Sequence, residues 1–167
     1  MPAYSITGYP ASGRTSIASE LERRGYTAYD TDELPGVTYH AHKDGSRVDL
    51  SLGHIADKSG LDWLWDSAKL AEHLESADTV FICAVTSEQH EFYDRYNKIF
   101  VLTIDEVTLK HRLTTRTSND FGKHSNELKI VLVGRDSFVQ QMLAAGAILV
   151  DATKPLTRVA GDILINV

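Results

Sequence analysis

Five short strand-like runs separated by helix-like stretches predict a three-layer α/β fold: a five-stranded parallel sheet with helices on both faces. Two observations carry that expectation. The runs TVFICAV (79–85) and KIFVLTI (98–104) are apolar without alternation, which suits strands buried on both faces of a parallel sheet. Leu156, Val159, Ala160, Ile163 and Leu164 recur at i, i+3, i+4, i+7 and i+8, one continuous helical face. With 167 residues, no internal repeat, no charge block and no Gly/Ser linker, the chain 1–167 reads as one domain.

From the N-terminus, residues 3–7 form a β-prone run, followed by a glycine-containing loop and a helical stretch over 15–24. There Ile17, Ala18 and Leu21 share one stripe. Gly25 ends that helix and residues 26–29 resume extended structure. Residues 32–58 read poorly, with mixed polarity, Pro35, several glycines and three histidines. Leu61, Leu64, Ala68 and Ala71 then restore a helical period, predicting a helix over 61–75 that carries Trp63 and Trp65. A short helix over 88–93 joins the two apolar strands. Asp105 is a suitable N-cap for a helix running to Arg116, and 117–124 read as a loop. Leu128, Val131, Leu132, Val139, Met142 and Leu143 mark a long amphipathic helix ending near Gly146, and 147–150 make the last strand.

Composition excludes several classes. A 43% hydrophobic share is too high for a disordered chain, and Gly 11 with Pro 4 excludes collagen-like or low-complexity architecture. No apolar run approaches the roughly 18 residues that span a bilayer. The first residues lack the profile of a signal peptide. The lone Cys83 cannot form an internal disulfide or a multi-cysteine zinc site, which points to a reducing, cytoplasmic setting. Cys83 itself reads as a small buried hydrophobe, and His40 with His42 as surface histidines rather than half a metal site. A net charge of −6 argues against general nucleic-acid binding.

Gly8-Tyr9-Pro10-Ala11-Ser12-Gly13-Arg14-Thr15 fits the spacing G-x-x-x-x-G-[K]-[ST], with Arg for Lys. Glycines let backbone N–H groups turn inward around a phosphate, and the following helix offers its positive end to the same anion. A cation at position seven reaches the outer phosphates, and the hydroxyl at position eight suits Mg²⁺. A strand before the loop and an amphipathic helix after it supply the required context. An ordinary strand–turn–helix connection is the competing reading. Arg14 keeps the charge but presents a planar fork where Lys offers a compact point charge.

With these residues, the chain resembles the small P-loop kinases of the adenylate kinase and shikimate kinase type along its whole length. The resemblance implies ATP and Mg²⁺ as cofactors, and a loop of Gly8, Ala11, Ser12, Gly13, Arg14, Thr15 and Ser16 around the phosphates. Asp30-Thr31-Asp32 resembles the D-x-D of shikimate kinases, which implies a metal-shell role for Asp30 beside Thr15. Asp32 then becomes an orienting group or general base, unless one of the pair merely caps the next helix. Arg112-Leu-Thr-Thr-Arg116 resembles the helix-to-lid junction, the lid being about 115–126. The resemblance makes Arg116, Arg112 and Lys123 candidates for neutralising charge on the γ-phosphate. A solvated basic helix end is the alternative for these arginines. Asp151-Ala152-Thr153-Lys154-Pro155 resembles the loop that borders adenine, placing Lys154 and Pro155 there.

Two departures stand out. The third strand ends in Cys83-Ala84-Val85, without the acidic end of an ATPase strand or the triple glycine of shikimate kinases, so shikimate is disfavoured. N-K-x-D is absent, which disfavours a GTPase. In the resembled fold the acceptor pocket is built from about 33–65. Arg47 is there the candidate for an anionic acceptor group, Gln89 for an acceptor base, and Trp63 and Trp65 for stacking or core. Residues 110–135 hold six of the 17 basic residues and two acids, a formal +4 against −10 for the rest. The expected function is transfer of the γ-phosphate of ATP to a nucleoside or nucleoside monophosphate. A sugar-acid or other metabolite kinase, a nucleotide-binding regulator with weak turnover, and RNA-end phosphorylation stay open. Neither a membrane nor general nucleic acid is an expected partner.

Overall fold

The computed structural model describes residues 1–49, 60–115, 117 and 125–167. Its first half runs through β1 (Ala3–Gly8), α1 (Arg14–Arg23), β2 (Thr27–Asp30), β3 (Thr38–Ala41), β4 (Asp62–Trp65) and α2 (Ser67–Leu74). Then follow β5 (Val80–Cys83), a 3₁₀ helix (Gln89–Arg95), β6 (Lys98–Thr103), α3 (Glu106–Thr115), α4 (Ser125–Ala144), β7 (Ile148–Asp151) and α5 (Leu156–Leu164). Five strands pair in parallel in the order β2-β5-β1-β6-β7, with β1 at the centre. The expected three-layer α/β class is therefore the observed one.

The lack of alternation in the central strands has a direct structural reason. Tyr4, Ile6, Phe81, Cys83, Phe100 and Leu102 pack into one cluster with Ile17 and Leu21 of α1 and Val159 and Ile163 of α5. Their sequence neighbours Ala3, Val80, Ile82, Ile99 and Val101 pack into a second cluster with Leu70 of α2 and Met142 of α4. Odd and even positions thus serve opposite faces, and both faces are covered. Because all five strands run the same way, their C-terminal ends lie along one edge. In register, Gly8 lies beside Leu102 and Asp30 beside Cys83. That edge is where open α/β sheets bind ligands.

One expectation is corrected. Residues 61–75 do not form one helix: β4 pairs antiparallel with β3, matching His40 to Trp63 and Thr38 to Trp65. The segment Asp62-Trp-Leu-Trp65 is rich in β-favouring aromatics, and its pairing with β3 overrides the helical spacing of Leu61, Leu64, Ala68 and Ala71. The helix begins only after Asp66, whose carboxylate accepts from the Lys69 N–H as an N-cap. The short helix after β5 is 3₁₀ and spans Gln89–Arg95. No described helix is long and apolar enough to cross a membrane.

Helices α1 and α5 are tied by Arg24, which the buried Glu20 carboxylate holds in place. That carboxylate accepts from Arg23 Nε (2.7 Å) and Arg24 Nε (2.8 Å), and Arg24 Nη2 also donates to the Thr157 carbonyl (2.7 Å). These arginines hold the Glu20 carboxyl at about 2, below its ordinary 4.5. The folded state therefore binds fewer protons than the unfolded chain between those values. The stabilisation is complete above about pH 4.5 and disappears as pH falls toward 2. Glu20→Gln should flatten this part of the stability–pH curve, as read by urea denaturation at a series of pH values. Superimposable wild-type and variant curves would contradict the tie.

Candidate active site

The loop between β1 and α1 has the geometry its glycines suggest. Gly13 adopts φ 103°, and Ala11, at φ 66°, is the one non-glycine residue with positive φ among the described residues. A left-handed alanine is strained by about 1–3 kcal/mol, a cost found mostly at ligand clamps and active sites. A Cβ on Gly8 would lie 2.2 Å from Ser12 Oγ, so the loop closes on itself only with glycine there. Ser12 is buried, and its Oγ has no hydrogen-bond partner among the described residues. Helix α1 starts at Arg14 without a side-chain cap and without an acid in its first turn, leaving its positive end open to an anion. Exposed Thr15 and Ser16 lie in that turn.

Arg14 turns back across this loop. Its Nη1 donates to the Gly8 carbonyl, joining the seventh and first positions, and its Nη2 lies 3.7 Å from Asp32 Oδ2. Residues 31–37 form turns rather than a helix, so the D-x-D caps no helix. Asp30 Oδ1 accepts from the Asp32 N–H (3.1 Å), and Asp30 Oδ2 accepts from Thr15 Oγ1 (2.5 Å). Asp32 Oδ1 accepts from the indole N–H of Trp63 at 2.8 Å. Burial pushes the Asp32 carboxyl above its ordinary range, while Trp63 and Arg14 work against that rise. The structure thus brings Arg14, Thr15, Asp30 and Asp32 together at the sheet's C-terminal edge.

Arg112 lies against the backbone of the phosphate loop. Its Nη1 donates to the carbonyls of Ala11 (3.3 Å) and Ser12 (3.2 Å), and its Nη2 to that of Ala152 (2.8 Å). It clamps the phosphate loop to the β7–α5 connection. In that connection Asp151 accepts from the Thr153 N–H and hydroxyl, Lys154 pairs with Asp162 (2.8 Å), and Pro155 precedes α5. Arg116 and Lys123 lie outside the described residues, as does most of the expected lid.

The acceptor-side candidates separate. Arg47 donates to Asp66 and stacks 3.9 Å over the Tyr39 ring. Gln89 is turned inward, accepting from Thr7 Oγ1 (3.0 Å) and donating to Met142 Sδ (3.3 Å). Trp65 is buried and donates to Thr31 Oγ1 (2.8 Å), whereas Trp63 reaches Asp32. Sequence reasoning missed that hydrogen bond, since it treated both tryptophans as helical. It also missed Tyr9, which docks on α4 where a Cβ on Gly134 would lie 2.0 Å from its hydroxyl, with Phe138 packed alongside. Buried Cys83 has its thiol pushed far up by burial and cannot serve as a nucleophile. A cavity of about 350 Å³ opens between the loop, α3 and α4, lined by Tyr9, Pro10, Asp105, Arg135 and Val139 among others. None of Arg14, Thr15, Asp30 or Asp32 lines it, so size alone does not mark the chemistry.

These residues fit a nucleotide and a magnesium ion. The orphaned Ser12 hydroxyl, the glycine-dependent closure at Gly8 and the uncapped α1 form an anion cradle. The adjacent Thr15 hydroxyl and Asp30 carboxylate are hard oxygen donors of the kind Mg²⁺ takes, the remaining positions falling to water and phosphate. Among the described residues no group of three or more His, Cys, Asp or Glu forms a metal cluster.

A family model described as an AAA domain matches residues 5–131. No curated protein matches the chain in sequence. A solved deoxyadenosine kinase from M. mycoides, with products dCMP and dCDP bound, is similar at a TM-score of 0.61 and 11% identity, covering 98% of this chain and 97% of that one. Shikimate kinase from Aquifex aeolicus vf5 has a TM-score of 0.57 at 18% identity, covering 98% and 94%. A gluconokinase from Sinorhizobium meliloti 1021 has 0.50 at 18% identity, covering 95% and 89%. The fold is that of the small P-loop kinases.

Gly8→Ala tests the cradle. The added Cβ must displace Ser12 or open the loop, so Mg-ATP affinity should fall on the order of 10-fold, about 1.4 kcal/mol, by calorimetry. Undiminished affinity would mean that nucleotide does not use this loop.

Proposed function

The chain belongs to the AAA domain family, and we propose that it is an ATP-dependent kinase that moves the γ-phosphate to a small acceptor, a nucleoside or nucleoside monophosphate. One observation carries this reading: a single cation, Arg14, touches the phosphate loop at Gly8 and faces the Asp32 carboxylate across 3.7 Å. Phosphoryl transfer needs its nucleotide cradle and its acceptor-orienting group side by side, with positive charge between them. The likeness to deoxyadenosine kinase supports the nucleoside preference. The lone, buried Cys83 suits a cytoplasmic protein.

In this reading Gly8, Ala11, Ser12, Gly13, Thr15 and Ser16 hold the β-phosphate, and Arg14 neutralises charge on the transferred group. Thr15 and Asp30 would hold Mg²⁺, which supplies further charge neutralisation at the phosphate oxygens when bound. With a nucleoside as acceptor, Asp32 accepts the proton of the attacking hydroxyl. The acceptor oxygen forms its bond to the γ-phosphorus as the bond to the bridging oxygen breaks, and ADP leaves with that electron pair. Arg116 is assigned to the γ-phosphate. Arg112 acts through the backbone it clamps, and Lys154 and Pro155 border the base. Arg47 and Gln89 are already engaged elsewhere, so we give them no direct contact with the acceptor.

A second reading, a nucleotide-binding regulator with little turnover, is favoured by Arg14 in place of Lys and by a β5 that ends without an acid. Incubation with Mg-ATP and a panel of nucleosides, nucleoside monophosphates and sugar acids separates the two. Acceptor-dependent ADP is the result expected of a kinase, and tight ATP binding without it supports the regulator. Thr15→Ala and Arg116→Ala should each lose about 10²-fold in turnover, the effect of removing one transition-state donor. Full activity in both would overturn the site assignment.

A further inference from the structure

We infer that Trp63 is a positioning residue for Asp32: its indole N–H fixes Oδ1 and leaves Oδ2, the oxygen facing Arg14, to meet the acceptor hydroxyl. The inference rests on the kinase reading above. It also assigns the β3–β4 hairpin a function.

The D-T-D turn is gripped by that hairpin at successive residues. Trp65 donates to Thr31 Oγ1 (2.8 Å), Thr38 Oγ1 donates to the Thr31 carbonyl (3.1 Å), and Trp63 donates to Asp32 (2.8 Å). Trp63 is itself anchored at the end of the parallel sheet. Its N–H donates to Ser87 Oγ (3.0 Å) and its carbonyl accepts from the Ser87 N–H (2.8 Å). The His40 ring packs against the indole with centroids 4.5 Å apart. An indole fixed by its backbone and its ring has little freedom to turn away from the carboxylate.

The donor type matters as much as the place. Arg14 and Asp32 lie 3.7 Å apart, close enough that a free carboxylate would rotate into a fork-to-fork pair with the guanidinium. That pair would occupy both groups the reaction needs. An indole N–H is neutral and only donates, so it holds one carboxylate oxygen without competing for the phosphates. Arg14 stays available to the nucleotide, and Oδ2 to the proton of the acceptor.

The test is a double-mutant cycle in the full chain, run with Mg-ATP and whichever acceptor of the nucleoside, nucleotide and sugar-acid panel gives most ADP. Trp63→Phe should lower kcat on the order of 10-fold and leave the KM for ATP within about two-fold. In an Asp32→Asn background the same change should cost nothing more, because the group it positions has gone. If Trp63→Phe does not fold, Ser87→Ala carries the test, with a smaller kcat loss and the same unchanged KM for ATP. In a Trp65→Phe background, where Trp63 is the only tryptophan, Asp32→Asn should shift its emission. Losses that multiply in the double variant, or a Trp63→Phe enzyme as fast as wild type, would overturn the inference and leave the kinase reading standing. No acceptor-dependent ADP from wild type would bring down both.

Discussion

The guanidinium of Arg14 joins parts of the chain that arrive from different directions. It leaves the first turn of α1, crosses the loop to the Gly8 carbonyl and ends 3.7 Å from Asp32, with only 17% of the side chain exposed. A cation that far from water is costly unless carbonyl and carboxylate oxygens surround it. Burial draws its pKa down, while Asp32 and Asp30 draw it back up, and an arginine in that balance remains charged. The dependence is mutual, because Asp32 is also partly withdrawn from water and relies on the same cation. A lysine ammonium is a single point, whereas the arginine fork reaches the loop carbonyl and the carboxylate at once. The departure from the usual loop sequence thus has a structural use.

Everything else serves to bring those groups to one edge. The parallel sheet aligns the end of β1 with the end of β6, and the end of β2 with that of β5, so Gly8 and Asp30 arrive at the same rim. Arg112 fixes the outside of the loop to the carbonyl before Thr153, and Tyr9 docks its second residue on α4 at Gly134. The loop is therefore held from three sides, by Arg14 of α1, by Arg112 of α3 and by its own Tyr9 seated on α4. Such support is what a preorganised phosphate site requires, since electrostatic stabilisation is effective only if its dipoles do not have to rearrange.

The parallel sheet and the loop were legible in the sequence because both rest on short-range patterns. Apolar runs without alternation mean two covered faces, and the Gly8/Gly13 spacing with flanking strand and helix identifies the turn. Asp30 and Asp32 were legible from their position after the second strand. The hairpin was not. Thr38–Ala41 and Asp62–Trp65 are short strands that pair across a long sequence separation, and only that pairing shows that Trp63 and His40 share a face. Gln89 was misleading for a related reason: its place just past β5 was right, but Thr7 and Met142, distant in sequence, turn its amide inward. Long-range partners decide where a side chain points, and periodicity does not report them.

The most direct test of the central claim is a crystal structure with a non-hydrolysable ATP analogue and Mg²⁺. The account predicts phosphate density inside the loop from Gly8 to Thr15, the metal beside Thr15 and Asp30, and the Arg14 guanidinium moved from the Gly8 carbonyl onto the phosphates. Nucleotide found instead in the cavity between Tyr9, α3 and α4, with Arg14 still on Gly8, would contradict it.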